Sequence, residues 1–228
     1  MKNIPQHIVL FPDGNRRWAK EKGLDSFKGH YQGYKNIINF GEWCKNRGVK
    51  VITAFGFSTE NWKRSEDEVT YLMNLLNMGL AESLERFQKN NVRVKIIGQV
   101  ERLPKVCQKT IQDIEEKTRN NTALHLNLAV SYGGQWDILQ AVKKIAEEKI
   151  PPEKIDEALF ENYLSTAGLP NPDLVIRAGG EMRLSNFVLW QAAYSELYFS
   201  PKMWPEFSEE DFNLALEEFD RRTRRFGK

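Results

Sequence analysis

Apolar and polar positions along this chain switch between a strand period and a helix period, and the switches predict its elements. His7 to Phe11 is a compact run that stops at Pro12 and reads as a buried strand. From Tyr31 to Asn46 the apolar residues Tyr31, Tyr34, Ile37, Ile38 and Trp43 fall at helical spacing, with Gly48 as the stop. Val49 to Phe57 is β-branched and aromatic, a second strand, and runs into the polar loop Ser58 to Arg64. Ser65 with Glu68 three residues on is a capping box that opens a helix from Glu66 to Asn90. One stripe of that helix is Val69, Leu72, Met73, Leu76, Leu80, Leu84 and Phe87, and Tyr71, Leu75 and Met78 widen it. A helix apolar on most sides is either a buried core helix or the wall of something greasy, and periodicity leaves both open. Gly79 and Ala81 leave room in its middle.

The second half repeats the alternation. Val92 to Ile97 is a third strand, Pro104 to Lys117 a mostly polar surface helix, and Leu124 to Val130 a fourth strand running into Ser131-Tyr132-Gly133-Gly134. Trp136 to Glu148 is a helix, Pro151-Pro152 a break, and Ile155 to Leu164 a short helix. Leu174 to Arg177 and Ser195 to Phe199 are the last strands, and Glu209 to Arg225 closes the chain as a helix. Strands alternating with helices require crossovers, hence a mainly parallel sheet. With no repeat or low-complexity linker, residues 1–228 read as one α/β domain with about six strands flanked by helices.

Charge narrows the partners. The net charge of +2 comes from 33 basic and 31 acidic residues, a balance that argues against a nucleic-acid-binding module. Cys44 and Cys107 have no CxxC spacing, which fits a reducing cytoplasm and no zinc framework. The first residues lack the apolar core of a signal peptide, and no apolar run approaches the roughly 20 residues of a membrane span. Any membrane contact is then peripheral or through a greasy ligand.

Candidate chemistry gathers at the strand ends. The first strand is followed by Asp13, Gly14, Asn15, Arg16 and Arg17, and the second by Ser58, Thr59, Glu60, Asn61 and Arg64. After the fifth come Arg177, Gly179, Gly180, Glu181, Arg183 and Ser185, and near the last comes Glu196. In a parallel sheet such loops converge on one edge. Arginine forks bind phosphate, and carboxylates with phosphate oxygens hold Mg²⁺. The expectation is a diphosphate-handling site with more than one anion pocket beside an unusually apolar helix. The sequence has no P-loop, no GxGxxG fingerprint, no GxSxG elbow and no Asp-Asp-x-x-Asp cluster.

These residues, in this order, resemble the cis-prenyltransferases, the undecaprenyl diphosphate synthase family. Asp13-Gly14-Asn15-Arg16-Arg17-Trp18-Ala19 with Gly29-His30 looks like the family's signature, and Phe57 to Trp62 with Arg64 like a second motif. Tyr132-Gly133-Gly134 matches a third. Asp173 to Phe199, with Arg177, Arg183-Leu184-Ser185-Asn186-Phe187 and Glu196, matches the C-terminal block, which Trp204-Pro205-Glu206-Phe207 extends. The resemblance implies Mg²⁺-dependent condensation of isopentenyl diphosphate with an allylic diphosphate to a Z-polyprenyl diphosphate, a lipid-carrier precursor. It implies that Asp13 is catalytic and holds the metal, with Glu196 helping to ligate it from this chain's or the partner subunit's side of the site. Gly14, Asn15, Arg16, Arg17 and His30, with Trp18 and Ser26 beside them, would cradle the allylic diphosphate. Ser58, Thr59, Glu60, Asn61, Trp62 and Arg64 would orient the reacting ends, and Arg177, Arg183, Leu184 and Ser185 would take isopentenyl diphosphate. It also implies a homodimer and a product tunnel between the helices Tyr31–Asn46 and Glu66–Asn90. Asn61 is cast in this family as proton acceptor, but a carboxamide is very weakly basic, so positioning a diphosphate oxygen or a water suits it better.

The sequence departs from the family pattern at Phe11-Pro12, Ser26, Ala178 and Met182. Lys28 is a candidate substitute for an arginine at Ser26, and Met182 leaves Asp13 and Glu196 as the metal ligands. Trp18 and Trp62 also read as core aromatics, and the arginines from Arg221 to Arg225 as a solvated helix end. Two alternatives stand beside the main reading: a short-chain or irregularly coupling synthase of the same family, and a non-catalytic partner subunit. The presence of Asp13, Asn15 and Asn61 disfavours the second.

Overall fold

A strand buried at every position needs neighbours on both sides and cover on both faces, and β1 (His7–Phe11) has all four. The computed structural model describes residues 3–222. Chain order after β1 is α1 (Asn15–Glu21), α2 (Ser26–Asn46), β2 (Val51–Ser58), α3 (Glu66–Lys89), β3 (Val92–Ile97), α4 (Lys105–Thr118) and β4 (Leu124–Tyr132). Then follow α5 (Gly134–Glu147), α6 (Glu157–Glu161), β5 (Leu174–Arg177), β6 (Glu196–Phe199) and α7 (Glu209–Arg221). The strands form one six-stranded sheet in the order β3-β4-β2-β1-β5-β6, and every ladder is parallel.

The register divides the core. Ile8 and Leu10 of β1 pack on one face with Ile52, Phe40, Trp204, Phe212 and Leu216, while Val9 and Phe11 pack on the other with Val175, Tyr132 and Phe187. The first face carries α2, α3, α4 and α7, and the second carries α5 and the segment after Ser185. Cys44 and Cys107 are buried free thiols. His7 is tied into the sheet: its Nδ1 lies 2.7 Å from the Pro170 carbonyl, so it donates there, and its Nε2 lies 2.8 Å from Thr53 Oγ1. Burial lowers the His7 pKa to about 4.

Several boundaries moved. α1 carries no helical pattern in the sequence: five of its seven residues are polar, and it has too few turns to show a period. α2 starts at Ser26 rather than Tyr31, because Asp25 caps it by accepting from Phe27 N at 2.7 Å. α1 lies so close to α2 that a Cβ at Gly33 would sit 2.1 Å from Asn15 Oδ1, so only glycine fits there. The predicted closing helix is seen to Arg221; Arg224 and Arg225 lie outside the described residues.

Candidate active site

Three loops at the carboxyl edge of the sheet meet around Asp13, which follows β1. Gly14, at φ +97°, turns the chain into α1, a backbone state open to glycine. Its N–H donates to Asp13 Oδ1 at 2.6 Å. From β5, Arg177 donates through Nη2 to Asp13 Oδ2 at 2.8 Å and through Nη1 to Ser185 Oγ at 2.9 Å and to the Arg183 carbonyl. Arg177 is 4% exposed and its Nε has no partner, so the fork is held rigid with its Nε donor unspent. Arg17 reaches across from α1 to the Gly179 carbonyl at 2.8 Å, with Glu181 Oε1 3.4 Å from its Nη1. Asn15 Nδ2 donates to the Pro12 carbonyl at 2.8 Å, which fixes the turn. Non-glycine residues Ser185, Asn186 and Val188 all have positive φ (45°, 60° and 40°), a concentration of strain typical of a loop shaped for a task.

The segment after β2 supplies the opposite wall. Thr59–Lys63 is a 3₁₀ turn closed by a capping box in which Ser58 N donates to Asn61 Oδ1 at 3.1 Å. The carboxamide oxygen of Asn61 is therefore engaged with the backbone, and what the side chain offers elsewhere is its N–H₂. Burial pushes the Glu60 pKa up, but a hydrogen bond from its own backbone amide and others from Asn186, Ser58 and Thr59 outweigh it and hold the pKa below the ordinary carboxylate value. Asn186 Nδ2 reaches Glu60 Oε1 at 3.1 Å and its Oδ1 accepts from Gln135 N at 2.9 Å, joining this wall to the Ser185 loop. His30 of α2, held below its usual pKa chiefly by burial and then by Arg64, faces the same space.

That space is a cavity of about 1260 Å³. Asp13, Gly14, Asn15, Arg16, Arg17, Ser26, His30, Ser58, Glu60, Asn61, Arg64, Arg177 and Ser185 all line its charged end. From there it runs between α2 and α3 over the sheet to Phe87, Val92 and Leu124 at the opposite sheet edge. Gly79 lines it; Ala81 points outward and is exposed.

Other predicted site residues lie apart from the cavity in this chain. Glu196 heads β6: in register with Leu174, it lies three residues back from the level of Arg177, and it pairs with Arg222 at 3.0 Å. Within one chain Asp13 and Glu196 do not meet. Among the described residues no three His, Cys, Asp or Glu side chains gather into a metal cluster. Trp62 lies outside the cavity; it packs on the core beside Phe57 and donates to Ser131 Oγ at 2.8 Å. Trp18, Thr59 and Leu184 also lie outside the lining, Thr59 against Gly133 and Leu184 on the second core. Arg183 turns its guanidinium to Glu181 on the exposed surface. Lys28 is exposed away from the cavity, whereas Lys20 and Lys45 line it. Two residues went unread as site groups. Asn186 stood in a motif with no role, and Glu68 was hidden by its capping signature.

Asp13 nevertheless fits Mg²⁺ as a lone protein ligand. Its carboxylate is partly exposed, faces the cavity, and is oriented by one amide and one guanidinium. Mg²⁺ commonly takes one or two carboxylates and completes its shell with phosphate oxygens and water.

Comparison with known proteins gives a consistent picture. Residues 11–227 match the family model described as "Putative undecaprenyl diphosphate synthase". The chain is 46% identical, over 98% of its length and 89% of the relative's, to a geranylgeranyl-diphosphate-specific tritrans,polycis-undecaprenyl-diphosphate synthase of Thermoplasma volcanium. It is 44% identical, over 99% and 96%, to a farnesyl-diphosphate-specific ditrans,polycis-undecaprenyl-diphosphate synthase of Legionella pneumophila. Among solved structures it is similar to lavandulyl diphosphate synthase of Lavandula x intermedia in complex with dimethylallyl diphosphate, with a TM-score of 0.95, 39% identity and 98% of each chain covered.

Proposed function

Because this chain belongs to the undecaprenyl diphosphate synthase family and is a prenyltransferase, we propose that it condenses isopentenyl diphosphate with an allylic diphosphate, with Mg²⁺, into a long Z-polyprenyl diphosphate. The observation that carries the reading is the continuity of the cavity. One end bears Asp13 and the forks of Arg16, Arg17, Arg64 and Arg177; the rest is mainly apolar, with Glu42, Lys45, Ser83, Arg86 and Asn90 on its far walls, and is long enough to follow α3 from Leu72 to Phe87. The helical rise from Leu72 to Phe87 is roughly 22 Å. An enzyme joining two C5 units needs no such length, which favours chain elongation over the short-chain or irregular coupling weighed as an alternative.

Arg16, Arg17 and Arg64 would grip the allylic diphosphate, and Arg177 with Ser185 the isopentenyl diphosphate. Asp13 would hold Mg²⁺, which when bound supplies positive charge to the leaving diphosphate. As the allylic C1–O bond breaks, charge collects on the diphosphate oxygens, and the guanidinium groups are already aimed there. The isopentenyl double bond closes the new C–C bond, and the proton lost from its C2 passes to a diphosphate oxygen or water. Asn61, as an N–H donor, would hold that acceptor in place. The apolar walls exclude water that would otherwise capture the allylic carbon. A homodimer, a membrane-peripheral position and a role in making a lipid carrier belong to the same reading.

The test is direct. Pure protein with Mg²⁺, isopentenyl diphosphate and each of the C5, C10, C15 and C20 allylic diphosphates should yield polyprenyl products, sized by mass spectrometry. Products confined to a single C10 coupling would overturn elongation; no condensation with any primer would overturn the reaction.

A further inference from the structure

A buried carboxylate stands behind the cationic side of the cavity, and the reaction described above does not use it. Glu68, in the first turn of α3, is 8% exposed and does not itself line the cavity. Arg64 Nη1 donates to its Oε1 at 2.9 Å, and His30 Nε2 lies 3.4 Å from the same oxygen. Arg16 Nη1 is 3.6 Å from Oε2. These three partners come from α1, α2 and the segment between β2 and α3, and all three line the cavity.

A full capping box would return the Glu68 carboxylate to the Ser65 amide. Here only one leg forms: Ser65 Oγ accepts from Glu68 N at 3.4 Å, while the carboxylate turns to the cationic groups. A buried carboxylate is costly unless its charge is matched. Equally, two guanidinium groups crowded at one wall repel each other unless something behind them is negative. Each contact to Glu68 uses one donor of a guanidinium that has five, so the remaining N–H groups stay free for phosphate.

We propose that Glu68 is a positioning residue for the allylic diphosphate, holding Arg64, Arg16 and His30 at the cavity wall with their free donors turned inward. The layering is carboxylate, then cation, then phosphate. The carboxylate keeps the cations ordered before substrate arrives, and the diphosphate meets a preset wall. This rests on the reading of the charged end as a diphosphate site.

The experiment measures Kd for farnesyl and geranylgeranyl diphosphate without isopentenyl diphosphate, and KM for isopentenyl diphosphate during turnover, in wild type, Glu68→Gln, Glu68→Asp and Arg64→Ala. Glu68→Gln should weaken the allylic diphosphate about tenfold while the isopentenyl KM stays within about twofold. Glu68→Asp, which keeps the charge, should recover part of the loss. Glu68→Gln combined with Arg64→Ala should be little worse than Arg64→Ala alone, since the arginine is what Glu68 positions. Unchanged allylic binding in both Glu68 variants overturns the proposal. So does an equal loss for both substrates accompanied by a lowered Tm, which marks a purely structural residue. Wild type that binds neither allylic diphosphate overturns the functional reading itself, and this proposal with it.

Discussion

The two ends of the cavity are built by opposite rules. The charged end is assembled from three short loops on three crossovers, and each group has a named partner: Asp13 with Arg177, Arg17 with the Gly179 carbonyl, Ser58 with Asn61. The apolar end is two long helices, α2 and α3, stitched by a few contacts such as the Tyr34 hydroxyl to Ser83 Oγ at 3.1 Å and Arg86 to Glu42 at 2.6 Å. At the first end a misplaced atom breaks a charge network. At the second a change of volume only moves a wall. Point changes should therefore act on rate at one end and on product size at the other.

The largest effect belongs to Asp13. Asp13→Ala removes the carboxylate that Arg177 and the Gly14 amide orient. Turnover should fall by about a thousandfold, on the scale of losing one preorganised electrostatic group. Radiolabelled isopentenyl diphosphate entering butanol-extractable product gives the rate. Wild-type incorporation would remove Asp13 from the chemistry. The unpaired, buried Arg177 should also cost about 1–3 kcal/mol of stability, readable as a lowered Tm.

Acid strikes both ends together, because His7 sits in the sheet beneath them. Its folded pKa of about 4 lies below the 6.5 of an unconstrained histidine. The unfolded chain thus binds the extra proton first, and stability is lost as pH falls from about 6.5 to 4, being complete above that window. The full shift is worth about 3 kcal/mol. Urea midpoints at pH 7 and pH 4.5 should differ accordingly. His7→Gln should flatten the dependence.

How far the sequence carried differs between the same two ends. The charged loops were legible because glycine, arginine and hydroxyl residues cluster just past apolar strand runs, and a parallel sheet brings strand ends to one edge. Glu196 falls at the start of the strand read from Ser195 to Phe199, and only the β5–β6 register shows how far back from Arg177 that start lies. Glu68 was concealed for a related reason: Ser-x-x-Glu has a sufficient local explanation, and only tertiary structure shows the carboxylate turned away from it. The apolar end was legible as pattern but not as shape. α3 is apolar on several sides because one side lines the cavity and another packs on α4, where Cys107 and Thr110 meet Met73 and Asn77. Periodicity cannot separate a core contact from a cavity wall.

Gly79 tests the apolar end by volume. A Cβ there would lie 2.6 Å from Tyr34 Cε2, so Gly79→Phe must displace the Tyr34 ring and fill part of the cavity. Overpacking of this kind costs about 1–3 kcal/mol. Product should shorten while the first condensation keeps its rate within a few-fold. An unchanged length distribution by mass spectrometry would show that the chain does not pass Gly79.

Ala81 is two residues further along the same helix and supplies the matched control. Two residues turn a helix by about 200°, so Gly79 and Ala81 cannot share a face. Ala81 is exposed and outside the cavity lining, although in the sequence both small residues offer the same room. Ala81→Phe should leave product length unaltered and stability within about 0.5 kcal/mol, the usual range for a surface change. The pair isolates direction from size, since the introduced ring is identical and only the face differs. Shortened product from Ala81→Phe would mean that the ring acts through the whole helix rather than through the cavity, and the division between a rate-setting end and a length-setting end would fail.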